Sequence, residues 1–259
     1  GVNRLYPYEI RKGRMPMKKK RKKRHCVIKA IFRLLIVLVC LVLGVGAFFG
    51  VKGYEMYQDA IAERTLDERV EDIRNTENFT IYSELPQFYI DATISVEDHR
   101  FADHCGIDLI AIGRAAWTDI RAMSFVEGGS TITQQLVKNL LFTQDKKIER
   151  KAAEVFAALE MESKYSKEEI FELYANTAYF GSGYYGIYQA SIGYFGKEPS
   201  ALTDYECALL AGIPNAPSVY SPMVNSELAQ QRQQYVIRQM VKYGYISESE
   251  GEIILSQQP

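Results

Sequence analysis

Three short stretches of this chain place ionisable and hydroxyl-bearing residues at spacings that could do chemistry. The first is Glu97-Asp98-His99-Arg100-Phe101, with His104 and Gly106 close behind. Two adjacent carboxylates follow the apolar-periodic run 88–96, so one of them must turn toward the interior or a cleft. An acidic helix end with solvated charges is the plainer alternative, and His99, Asp103 and His104 have weak spacing for a metal. The second stretch, 128–139, runs from two glycines through Ser130, Thr131 and Thr133 to Gln134, Gln135, Lys138 and Asn139. Glycines and hydroxyls at a helix start suggest an anion-binding corner, served by backbone N–H groups and the helix dipole. A capped helix with a polar face would read the same way, and the spacing of a P-loop is missing. The third is Arg150-Lys151 with Glu154, two cations one turn from a carboxylate, with Arg150 and Glu154 on one helical face. A solvated ion pair explains such a set equally well when it stands alone.

The elements that must position these residues read as helices. Ser/Thr-x-x-Glu/Gln capping patterns at Thr131/Gln134, Ser166/Glu169, Thr203/Glu206 and Ser247/Glu250 announce four helix starts. Between 147 and 164, Ile148, Ala152, Val155, Phe156 and Leu159 fall at helical spacing. Ile61, Leu66, Val70 and Ile73 predict one stalk helix from Tyr54 to about Ile73, followed by a short extended piece at 79–82. Gly212 and Gly244 mark helix stops, and no repeat, heptad array or convincing alternating strand set is present. The fold class is mostly α, a single domain on a stalk.

Charge divides the chain sharply. Residues 1–25 carry eleven Lys and Arg against Glu9, whereas 53–259 carry 17 basic and 31 acidic residues. Between them, residues 34–51 are eighteen consecutive uncharged residues, about the length that spans a bilayer as a helix. The run is too long for a signal-peptide core, no cleavage site follows, and the basic run at 18–24 favours a cytoplasmic N-terminus over a nucleic-acid arm. The organisation expected is a basic tail at 1–25, a transmembrane anchor at 26–52, a stalk at 53–75 and a domain at 76–259 outside the membrane. Four cysteines are too few for a disulfide scaffold, and Cys105 and Cys207 are expected as free thiols.

Taken in order and spacing, EDHRFADHCG at 97–106, GGSTITQQLVKN at 128–139, RKAAE at 150–154, ELYANTAYFGSGYYGI at 172–187 and ECALLAGIPNAPSVYSP at 206–222 resemble the peptidoglycan glycosyltransferases of family 51. These also form the N-terminal domain of class A penicillin-binding proteins. His99 and Ala175 stand where the family more often has other residues. The resemblance implies a lysozyme-like helical domain with a small membrane-contacting jaw at about 107–127, where Trp117, Ile120, Met123 and Phe125 would meet the interface. It implies polymerisation of lipid II into β-1,4-linked glycan with release of undecaprenyl pyrophosphate, by a single inverting displacement.

On that resemblance Glu97 is the base and Glu154 the second carboxylate. Ser130, Thr131, Gln135, Lys138, Arg150 and Lys151 hold pyrophosphate and sugars. Asp98, Phe101, His104, Gly106, Asn139, Asn176, Tyr179 and Gly181 support the cleft. No organic cofactor is implied; a divalent cation (Mg or Mn) against Glu154 is left open. The implied partners are lipid II, the growing strand, membrane lipids and transpeptidases or other cell-wall proteins, with no nucleic acid. A lysozyme-like hydrolase and a non-catalytic cell-wall scaffold are the competing readings. The absence of Ser-x-x-Lys gives the expectation of a monofunctional enzyme.

Overall fold

The structure, a computed structural model, describes residues 18–122, 128–142 and 147–257, with side chains from 28 onward. The tail 1–17, the side chains of the basic run, and Met123 and Phe125 of the expected jaw lie outside the described residues. The chain divides into two compact units, 1–48 and 49–259.

In the first unit, helix α1 (Lys18–Glu63) carries the apolar run. From Ile28 to Phe48 its residues are exposed, Leu34 at 70% and Leu43 at 66%. Residues 28–63 form a helix long and apolar enough to cross a membrane.

The second unit is helical. It holds the end of α1, then α2 (Leu66–Arg74), α3 (Gln87–Glu97), α4 (Leu109–Ala122), α5 (Ile132–Leu141), α6 (Ile148–Lys164), α7 (Lys167–Thr177), α8 (Ile187–Phe195), α9 (Asp204–Gly212), α10 (Pro217–Tyr220), α11 (Ser226–Lys242) and α12 (Glu248–Ser256). Among the described residues the extended pairing is one isolated antiparallel bridge, Tyr179 to Tyr185. Two helix groups organise the core: α3, α9 and α11 pack on one another, and α5 packs on α6 and α7. Helix α9 is apolar nearly all round, from Tyr205 to Ala211 apart from Glu206, and is accordingly central. Burying side chains such as Leu210, Ile237 and Met240 contributes about 1.5–3 kcal/mol each.

All four expected capping boxes are formed. A fifth, Thr65 with Glu68, starts α2 and breaks the single stalk helix expected over 54–73 into two. Leu66 and Val70 of that segment are core residues, 1% and 2% exposed. Arg69 ties the segment down, donating to the carbonyls of Ala60 and Leu140.

Two local expectations are corrected and the two glycine stops take different forms. The buried stripe of α6 is Ala153, Glu154, Ala157, Ala158 and Met161, whereas Ile148 and Leu159 are exposed. Alanines let neighbouring helices approach closely, so this face is selected by fit and not by side-chain size. Gly212 ends α9 as expected, in a right-handed conformation that leads into a 3-10 turn, while Gly244, at φ 79°, is a left-handed stop. The piece at 79–82 ends in a 3-10 turn, residues Tyr82–Glu84.

Candidate active site

Helix α3 ends at Glu97, and Asp98 leaves the helical region at φ −159°, ψ 70°. That break sends the two consecutive carboxylates in different directions.

Asp98 turns inward, 7% exposed. Nε2 of the buried His104 contacts both of its oxygens, at 3.0 and 2.9 Å, and Ile132 N donates to Oδ2 at 3.0 Å. The carboxylate therefore caps the first turn of α5 and holds the two motifs together. Three backbone donors at that helix start are engaged within the fold. Thr131 N donates to Gln134 Oε1, Ile132 N to Asp98, and Gln134 N to Thr131 Oγ1, so these donors are already taken. The Thr131 hydroxyl also donates to Gly106 O at 2.7 Å, and Thr131 is buried. Within the fold its hydroxyl caps α5 and ties it to the Gly106 carbonyl. Gly106, at φ 84°, packs where a methyl group would lie 2.8 Å from Ala158 O.

Glu97 faces a cleft of about 550 Å³ whose lining includes Ser130, Gln135, Lys138, Arg114 and Arg232. Its side chain is 6% exposed. Gln135 Nε2 donates to Oε2 at 2.8 Å. Oε1 accepts no hydrogen bond, and Arg232 Nη2 stands 3.6 Å from it. Burial pushes the Glu97 carboxyl above the usual range, and the neighbouring Asp98 adds to this; Gln135, Arg232 and Lys138 pull it back. The result is a carboxylate more basic than a solvated one, with one oxygen bare.

Cations in and beside the cleft come from α5 and α6. Lys138 lines the cleft, and burial lowers its pKa; Arg150 and Lys151 lower it further, while Glu154 and Glu97 oppose them. Lys151 Nζ donates to Ser130 Oγ at 2.8 Å and to Glu154 Oε2 at 2.7 Å. Arg150 Nε is 3.3 Å from Glu154 Oε1, and Glu154 is buried. Glu154 thus sits beneath two cations and holds them. Arg150, Lys151 and Glu154 do not line the cleft themselves; they adjoin it through Ser130.

A divalent ion does not fit this donor set. Both oxygens of Glu154 face cations, and among the described residues no group of three His, Cys, Asp or Glu side chains gathers. His99 and His104 are not a pair. His104 is bound to Asp98, and His99 stacks on Tyr243 at 4.1 Å, accepting from Arg114 Nη1 at 3.3 Å. Burial and Arg114 hold the His99 imidazole below its ordinary range.

The remaining support residues are scattered. Phe101 is core. Asn176 clamps Thr80 through both backbone groups, Tyr179 stacks on Tyr185, and Gly181 backs onto Pro217 and Ser221. None of these lines the cleft, and Asn139 is exposed. Sequence reasoning missed Arg114 and Arg232. Arg232 lies inside the polar run QQRQQ of α11, beside the apolar stripe, where nothing in spacing separates it from a solvated arginine. Cys105 and Cys207 are free, as expected.

Comparisons place this geometry among known proteins. The profile described as Transglycosylase matches residues 64–241. Penicillin-binding protein 1F of Bacillus subtilis is 48% identical over 169 residues, 65% of this chain and 24% of the relative. A putative transglycosylase of Cupriavidus necator is 40% identical over 68% of this chain and 76% of its own length. The crystal structure of penicillin-binding protein 1A from Haemophilus influenzae aligns with a TM-score of 0.43 at 23% identity, over 70% of this chain and 17% of that one. The chain spans about a quarter of the length of the penicillin-binding proteins it matches. The profile nevertheless covers more than half of the chain and takes in all three chemical motifs, so the chain belongs to the transglycosylase family.

Proposed function

We propose that this chain is a peptidoglycan glycosyltransferase that polymerises lipid II into β-1,4-linked glycan. The observation that carries the reading is the buried Oε1 of Glu97, which accepts no hydrogen bond, in a cleft also lined by Lys138, Arg114 and Arg232. In the proposed step Glu97 Oε1 takes the proton of the acceptor's 4-hydroxyl as that oxygen bonds to the anomeric carbon of the growing strand. The bond from that carbon to the pyrophosphate oxygen breaks on the opposite side, inverting α to β. Its electron pair leaves on undecaprenyl pyrophosphate, and no acid need protonate it. Lys138, Lys151 and Arg150 offset the charge that develops there, while Glu154 fixes the last two. The hydrolase reading needs a second carboxyl group reaching a sugar leaving oxygen, whereas Glu154 does not line the cleft and both its oxygens lie against Arg150 and Lys151.

The span at 28–63 supports a membrane anchor with the N-terminus cytoplasmic and the enzyme outside. Leu109, Ile110, Trp117 and Ile120 of α4 are 59–77% exposed, and this apolar surface suits the jaw's contact with the outer leaflet. A substrate with a polyprenyl tail stays in that leaflet, so a cleft held there gains effective concentration. Transpeptidases, which cross-link new strands, are the partners this role requires.

The test is Glu97→Gln in the detergent-solubilised full chain. Polymer formation from lipid II should vanish while lipid II binding persists. The variant should also melt higher at neutral pH. The folded state binds a proton more readily at Glu97 than the unfolded state, so the native carboxylate costs stability above its unfolded pKa and none in acid. About 1 kcal/mol corresponds to roughly 2–4 °C. Polymerisation by Glu97→Gln would remove the base assignment, and shortening of finished glycan without polymer would favour the hydrolase.

A further inference from the structure

The end of α1 crosses α6 at Gly53, and the crossing has almost no slack. A methyl group on Gly53 would run into the Ala152 methyl and sit 2.8 Å from both the carbonyl carbon of Ala152 and the backbone nitrogen of Ala153. The last two are backbone atoms of a helix interior, so they cannot swing away as a flexible side chain could. They also belong to the two residues lying between Lys151 and Glu154. Around the crossing, the Tyr54 ring meets Phe156 edge-on at 5.2 Å, Tyr57 stacks against Phe156 at 6.3 Å, and the Tyr57 hydroxyl donates to Glu160. Ala153 is fully buried and Tyr57 is 8% exposed. Gly44, Gly46 and Gly50 of the same helix differ: a methyl group on any of them meets nothing within 4 Å.

We propose that Gly53 is a positioning residue for the cations beside the cleft: its bare Cα lets α1 seat α6 so that Lys151 reaches Ser130 and Glu154. A side chain at 53 must push the segment 151–154 away from α1. The bond from Lys151 to Ser130 joins α6 to the cleft, so this displacement withdraws the ammonium from the leaving pyrophosphate. The inference rests on the glycosyltransferase reading for its catalytic consequence, and on packing alone for its structural one.

The experiment uses the full chain in detergent and compares wild type, Gly50→Ala, Gly53→Ala and the double variant Gly53→Ala/Ala152→Gly. Two quantities are read: hydrogen exchange of the amides in α6, and kcat and KM for lipid II polymerisation. Gly50→Ala should match wild type in both. Gly53→Ala should speed exchange across 150–158 and lower kcat about 10- to 100-fold with little change in KM, as displacement of a charge-stabilising group does. The double variant, which removes the Ala152 methyl from the crossing, should recover part of that loss; a merely destabilising substitution would gain nothing from a second glycine in a helix. Wild-type kcat and exchange in Gly53→Ala would overturn the proposal, as would a loss that Ala152→Gly only deepens. If Gly53→Ala does not fold, Tyr57→Phe, which removes only the bond to Glu160, decides by the same two readings. Wild-type protein that makes no polymer would sink the glycosyltransferase reading alone, and exchange would still judge the contact.

Discussion

Arg232 provides the sharpest handle on Glu97, because the two groups face each other at 3.6 Å with side chains only 13% and 6% exposed. Replacing Arg232 by Gln removes the positive charge while keeping most of the stem. Two unit charges at that distance interact by about 4–5 kcal/mol at an effective dielectric of about 20. The guanidinium charge is spread over three nitrogens and keeps some solvent, which brings the usable figure down to about 1.5–3 kcal/mol. Removing the guanidinium takes away one of the groups that hold the Glu97 carboxyl down, so its pKa should rise further. A base must be ionised to work, so activity is lost as pH falls through its pKa and the acid limb of the profile must move upward. The assay is kcat/KM for lipid II polymerisation between about pH 4 and 9, the limb of which reports the free enzyme. Arg232→Lys, which keeps the charge, should shift the limb less. An acid limb that stays in place or moves down in Arg232→Gln, whatever happens to the plateau, would refute the assignment of Glu97 as the titrating base.

Lys151→Met leaves the buried Glu154 with Arg150 as its remaining close ion-pair partner; polymerisation should fall at least about 100-fold, and stability by about 1–3 kcal/mol in a denaturant titration, since half of Lys151 is exposed. Thr131→Val removes the cap of α5 and the bond to Gly106, so it should cost about 1–2 kcal/mol of stability; once corrected for folded fraction, its KM for lipid II should stay near wild type, whereas a raised KM would restore Thr131 as a substrate contact. Trp117 is the sole tryptophan of the chain and is 63% exposed, so its fluorescence should be quenched by lipids brominated near the headgroup and barely by those brominated at the tail end. Absence of quenching in both vesicles would remove α4 from the membrane surface.

Much of this molecule was legible in its sequence because the signals were local. The apolar run needs only its length and lack of charge, and each capping box needs only a hydroxyl and a Glu or Gln three residues apart. The four boxes expected are formed on those grounds. The pairing of Arg150 with Glu154 is likewise a matter of helical pitch. The three motifs also named the residues that gather at the cleft, with Glu97, Gln135, Lys138 and Ser130 on its lining. Even so, resemblance alone could not distinguish Thr131, which caps, from Ser130, which touches Lys151.

What the fold decided was everything that depends on distant residues meeting. The sequence contains Asp98 and a helix start at Ile132, but only their approach in the fold lets the carboxylate cap the first turn of α5. Arg232 lies 135 positions from Glu97 and enters the site only because α11 packs against α3. The alanine face of α6 likewise becomes intelligible only beside its neighbours. Helical pitch and capping act over a few residues and are written in the chain. Burial, and with it the basicity of Glu97, belongs to the assembled core, because desolvation is set by all the groups that crowd out water.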